Sequence, residues 1–132
     1  MKSAARWLAG IVSVAILLLG VRAFLDPVAA SAGFGLPMQT DAETTFVRVY
    51  GARNALLGAV GLAFVTLGMI RSLALLFTLA TVLPLLDAVV IMSRIGLGHE
   101  LVRHAAILLV LAVASVALWR LNGRVPGSTR PS

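Results

Sequence analysis

The chain has 132 residues, 60% of them hydrophobic and 12% charged, with a net charge of +6 and no cysteine. A soluble domain carries about 25% charged residues, so this chain lacks the polar surface to coat a globule in water, and lipid is its natural solvent. Its basic residues stand singly at the ends of apolar runs, which argues against nucleic acid and for headgroups and topology, while the missing thiols exclude disulfides, thiolate nucleophiles and thiolate metal sites.

Taken in chain order, four apolar segments approach the roughly 20 residues needed to cross a bilayer. The first covers 7–25 and stops at Asp26-Pro27, because the residue before proline is pushed out of helical geometry. Lys2, Arg6 and the small residues Ala30-Ser31-Ala32 also fit a cleaved leader. Against this, Arg22 and Asp26 interrupt the route to the cut, and the apolar stretch is long. The loop 26–44 is the longest, and 27–32 reads either as a short amphipathic segment at the outer interface or as plain loop. The second span covers 45–70. The third, 72–93, follows at Arg71 with almost no linker, so the two are expected to form a tight antiparallel hairpin. The fourth covers 101–121, and 124–132 reads as a disordered tail.

Lys2, Arg6, Arg71, Arg120, Arg124 and Arg130 fall on one side of these spans. Arg22, Arg48, Arg94 and Arg103 fall on the other, and the bias places both termini in the cytoplasm. The expected architecture is an all-α antiparallel four-helix transmembrane bundle over 1–123.

Within the second span, Gly51, Asn54, Gly58, Gly61, Val65 and Gly68 form one helical stripe. Small residues let helix backbones approach closely in lipid. The stripe suits packing inside the bundle, with a dimer seam as the alternative. In the third span, Pro84 removes a backbone donor and predicts a kink near Ala80 and Thr81.

"VRVYGARNALLGAVG" places Arg53 several residues inside the second span, and Asp87 lies about two turns inside the third. An unpaired charge at mid-membrane costs roughly 2.5–3.5 kcal/mol. On adjacent spans at matched depth, the two are expected to form an ion pair inside the bundle. Tyr50 and Asn54 flank Arg53, Arg22 lies near the same interface, and Glu100 and His104 stand four apart at the start of the fourth span. Together they outline a polar pocket opening outward. Arg48, Arg94 and Arg103 are near enough to segment ends to snorkel, and His99 reads as loop.

Enzyme signatures are thin. Gly96-x-Gly98 lacks the third glycine and the preceding strand of a dinucleotide loop. His99 and His104 do not share a helix face, so no metal site is expected, and no cofactor is implied. Asp87 with His104 could transfer protons.

Arg22 with Pro27, Phe34-Gly35-x-Pro37, Tyr50-Gly51-x-Arg53 with Gly58, Asp87, and Gly98-His99 through His104 carry a resemblance. The chain resembles a family of small integral membrane proteins, the domain of unknown function numbered 4267, over about residues 5–121, with a layout similar to DoxX-like proteins. The resemblance implies a four-helix membrane bundle, and its DoxX-like side implies an accessory role near redox complexes. Two functional expectations follow. The first is a non-enzymatic multi-pass protein of the cell membrane: an accessory subunit with a membrane-protein partner or a second copy, or a binder of a lipophilic small molecule. The second is a membrane-embedded isomerase or cyclase, with Asp87 as acid or base and Arg53 holding an anionic or carbonyl group.

Overall fold

The computed structural model describes residues 2–33, 37–95 and 98–123, with side chains throughout except at 2, 3, 94, 95, 99–101 and 103. Their regular structure is helical: α1 (Lys2–Leu25), α2 (Pro27–Gly33), α3 (Asp41–Thr66), α4 (Ile70–Ala80), α5 (Val82–Ile95) and α6 (His99–Asn122). Four stretches are long and apolar enough to cross a membrane: Ala4–Leu25, Asp41–Thr66, Ile70–Ser93 and His104–Asn122. The third runs through both α4 and α5. The tail 124–132, Phe34-Gly35 and Gly96 lie outside the described residues, as do the side chains of Arg94, His99, Glu100 and Arg103. The backbone of His99 opens α6 and is not loop.

Local chemistry sets the helix ends. Asp26 Oδ1 accepts a hydrogen bond from the Ala29 amide at 3.1 Å. Asp26 therefore caps α2, and Pro27 takes the first helical position, where its missing N–H matters least. The segment at 27–32 is thus a helix. Its buried Ser31 donates to the Val28 carbonyl at 2.9 Å and accepts from the Met38 amide at 3.1 Å, drawing the following chain back onto α2. Thr40 and Glu43 form a reciprocal capping box at the start of α3.

α3 stops at Thr66, short of the expected residue 70, and this corrects the role of Gly68. Gly68 does not extend the packing stripe. It has φ +70° and ends the helix. Its amide donates to the Val65 carbonyl, and the Met69 amide donates to the Phe64 carbonyl. That pair of bonds is a Schellman cap, whose left-handed position suits glycine.

The remaining stripe glycines meet α1. A Cβ at Gly51 would lie 2.6 Å from the Phe24 nitrogen, one at Gly58 2.7 Å from the Ser13 carbonyl oxygen, and one at Gly61 2.5 Å from Ser13 Oγ. From the α1 side, Gly20 gives the same clearance to Gly51 and Ala55. The stripe is therefore filled from within the chain, which removes it as a dimer seam. The closest helix pair is α1 with α3. Spans two and three were expected to be the intimate neighbours. They are joined tightly at 67–69, but α3 spends its small-residue face on α1.

The third span breaks at Thr81, between α4 and α5. Pro84 offers no N–H to the Ala80 carbonyl, so the helix restarts with proline in its first turn. Before the break, α4 packs on α6 and α1. Ala9, Val12, Leu73, Ala74, Phe77, Leu111, Ala114 and Leu118 form the apolar core there. A polar clasp reinforces it. Ser115 Oγ lies 2.7 Å from Thr78 Oγ1, and Trp119 Nε1 donates to the same oxygen at 2.9 Å. Interhelical hydrogen bonds of this kind supply association that the hydrophobic effect cannot supply in lipid. After the break, α5 packs chiefly on α6. Leu18, Leu56, Leu79, Leu86, Val89 and Leu109 turn outward, as expected of a surface solvated by acyl chains.

Candidate functional site

The densely packed core fills the half of the bundle around α4. Beside that core lie two cavities whose lining residues overlap. One, of about 220 Å³, is lined by Ser31, Met38, Phe46, Val47, Tyr50, Asp87, Val90, Ile91 and His104. The second, of about 140 Å³, runs deeper. Ser13 on α1, Tyr50 and Asn54 on α3, Pro84 and Asp87 on α5, and His104 on α6 contribute to it, with apolar side chains between them. Tyr50, Asp87 and His104 belong to both linings.

Each of the three arrives for a local reason. Tyr50 adjoins Gly51, whose approach to α1 sets the rotation of α3. Asn54 stands one turn further on, on the same face of α3. Asp87 lies three residues after Pro84, on the same face of α5. Pro84 is buried and Asp87 half-buried. His104 is 4% exposed. It shares a stripe of α6 with Leu111, Ser115 and Leu118, the residues that face α4 and α1, and this explains its burial.

The expected pocket residues thus divide. Tyr50, Asn54, Asp87 and His104 come together, whereas Arg53 and Arg22 do not. Both arginines are exposed, and the Arg53–Asp87 ion pair is absent: Arg53 is outside both cavity linings, whereas Asp87 and His104 belong to both. Helix rotation is the reason. Arg53 is two residues past Gly51, about 200° around α3, so it points away from α1 when Gly51 points toward it. The α1–α3 register sets Gly20 against Gly51 and Ala55, which puts Arg53 level with Gly20, about 3 Å from the level of Arg22. Arg22 is less than one turn from the end of α1, where long side chains can reach headgroups.

Three contributors were missed by reading the sequence. Ser13 is 1% exposed, and its Oγ has no hydrogen-bond partner among the described residues. Its signal was faint: a small polar residue on an apolar span. Arg48 does not simply snorkel, because its Nη1 donates to the Phe24 carbonyl at 2.9 Å. Thr40-x-x-Glu43 carried a readable capping signature. Among the described residues, no cluster of three His, Cys, Asp or Glu could hold a metal ion.

Four apolar helices of bilayer length, wrapped in outward-facing leucine and valine, define a multi-pass integral membrane protein. Within that class, the chain belongs to the family described as domain of unknown function (DUF4267), which matches residues 13–118. No curated protein and no solved structure matches the chain.

Proposed function

We propose that this protein binds a lipophilic small molecule within the bundle, the polar group of that molecule meeting Tyr50, Asp87 and His104. The observation that carries this reading is convergence: three helices bring a phenol, a carboxyl group and an imidazole to the common wall of two otherwise apolar cavities. A largely apolar lining with a few convergent polar groups is the usual form of a small-molecule site, and ionisable groups within membrane spans are functional candidates by default. The cavities open toward the outer side in this reading. It places both termini in the cytoplasm and the helices antiparallel in the cell membrane. The descending contacts of α1 along α3, from Phe24 at Gly51 to Gly10 at Val65, support the antiparallel pairing.

Native mass spectrometry of the protein in nanodiscs tests the binding. Wild type is expected to retain a non-lipid molecule that Asp87→Leu loses and Arg53→Met keeps. Equal retention of all adducts by Asp87→Leu and wild type would reject the site.

A second reading draws on the same pair. Asp87 beside His104 supports proton transfer, as in an isomerase or cyclase acting on a lipid-like substrate. Arg53 has no part in it, since it faces away from the cavities. Asp87→Asn separates the readings: binding retained with turnover lost marks an enzyme, and binding with no turnover in wild type marks a carrier or an accessory subunit that serves a membrane partner.

A further inference from the structure

The α1–α3 pair leaves a groove on its outer side that shares no lining residue with the two inner cavities. Trp7, Ile11 and Val14 on α1 form one wall, and Leu62 and Val65 on α3 form the other. Gly10 keeps the space between them open, since a Cβ there would meet only Val65 Cγ1, at 3.9 Å. The α1 wall is exposed, Trp7 at 72% and Ile11 at 63%, and it stands opposite Ala5, Ala9 and Val12, which turn into the bundle. The groove therefore faces hydrocarbon from Arg6 at one end to Val14 about 12 Å deeper. Its volume of about 610 Å³ falls within the range of ligand clefts, about 300–1,000 Å³.

Arg6 closes the groove at the end of the span. Its Nη2 donates to the Val65 carbonyl at 3.4 Å and would lie 3.3 Å from a Cβ at Gly68. That bond uses one of the five N–H donors of a guanidinium, so the group keeps capacity for an anion. Exposed Arg71 follows Gly68 by three residues. The five acidic residues of the chain stand elsewhere: Asp26, Asp41 and Glu43 flank the opposite ends of α1 and α3, Asp87 lies beyond the break at Thr81, and Glu100 is at the start of α6.

We propose that this groove is a specific site for one anionic phospholipid, with an acyl chain along Gly10 between the two walls and the phosphate on Arg6. The occupant has to be apolar along its length and anionic at its end, and a phospholipid lying beside the helices has that form. Trp7 suits the level of the headgroups. A second copy in the same orientation would bring arginine to arginine, with no acid to meet either.

The test titrates the delipidated full chain in detergent micelles with phosphatidylglycerol or phosphatidylcholine of identical acyl chains, and native mass spectrometry quantifies the first lipid adduct. Wild type is expected to bind phosphatidylglycerol about fivefold more tightly, the effect of one basic residue at an anionic headgroup. Arg6→Gln should erase that preference. Gly10→Leu fills the groove and leaves Arg6 in place, so it should weaken both lipids by about tenfold or more. Arg120→Gln removes the same charge from the end of α6, outside the groove, and should leave both affinities unchanged. Equal affinity of wild type for the two lipids overturns the proposal. So does a preference that survives Arg6→Gln, one that Arg120→Gln removes as fully, or affinities that Gly10→Leu does not change. A wild-type dimer that Gly10→Leu dissociates also overturns it and gives the groove to a second copy.

Discussion

Arg48 on α3 donates from Nη1 to the main-chain carbonyl of Phe24, in the last turn of α1, at 2.9 Å. At the far end of the same helix pair the relationship is reversed: Arg6 on α1 donates from Nη2 to the carbonyl of Val65, in the last turn of α3, at 3.4 Å. Each helix thus gives the other a cation at its C-terminal end, where the dipole is negative. Between the two clasps lie Gly20, Gly51, Gly58 and Gly61, which bring the backbones into contact.

Arg48→Met is expected to lower stability by about 1 kcal/mol, as a charge-assisted bond at a helix end is lost. Arg6→Met should cost less, about 0.5 kcal/mol, because its bond is longer and the Val65 carbonyl also accepts the Gly68 amide. The clasps sit at opposite ends of α3, so the double variant should show nearly the sum. Unfolding by sodium dodecyl sulfate titration from mixed micelles measures all three.

Glycine substitutions should divide by position along α1 and α3. Gly58→Ala places a carbon against main-chain atoms of Ser13 and Leu17 and should cost about 2 kcal/mol or more. Gly58→Leu should abolish the fold without yielding a stable monomer, since the stripe is spent inside the chain. Gly10→Ala meets only Val65 Cγ1, at 3.9 Å, and should stabilise by about 0.5 kcal/mol through reduced unfolded-state entropy. The same detergent titration separates these outcomes.

Thr78 receives the indole N–H of Trp119 and lies 2.7 Å from the Ser115 hydroxyl. A double-mutant cycle of Thr78→Val with Trp119→Phe is expected to give a coupling of about 0.5–1.5 kcal/mol, the range of interhelical hydrogen bonds in membranes. Zero coupling would mean that the Trp119–Thr78 bond adds nothing to the association of α4 with α6.

Topology can be read without background labelling, because the chain has no cysteine. In intact cells, Gln39→Cys, between α2 and α3, should react with a membrane-impermeant maleimide. Met69→Cys, at the α3–α4 turn, should react only after permeabilisation. The reverse pattern would place the termini outside.

Much of this molecule was legible before any coordinates. Four apolar segments near the right length announced four spans, Asp26-Pro27 marked the end of α1, and Pro84 marked the break at Thr81. Gly51, Gly58 and Gly61 were recognisable as a packing face because their spacing repeats with the helix. Gly68 fits the same spacing but lies beyond Thr66, where hydrogen bonding has already changed to a cap. Periodicity alone does not show where a helix stops.

For the site, the residue types were legible but their partners were not. Tyr50, Asn54, Asp87 and His104 stood out as polar groups at membrane depth, and they do line the cavities. Arg53 stood out for the same reason and points elsewhere. Asp87 could be matched with any polar residue at its height, and Arg53, on the preceding span at the depth expected for Asp87, was the opposite charge that matched. His104 comes near because α5 leans on α6 after the break.

Composition and hydropathy by themselves determined that this chain lives in lipid and how many of its stretches are long enough to cross, because those properties depend on the local cost of exposing backbone and charge to hydrocarbon. Only the tertiary structure decided which faces meet: α1 on α3 along glycine, α4 on α6 through Thr78, Ser115 and Trp119, and Asp87 toward His104. Helix rotation is set jointly by all the contacts a helix makes, and a turn of 100° between consecutive residues is enough to move a charge from a cavity wall to the lipid-facing surface.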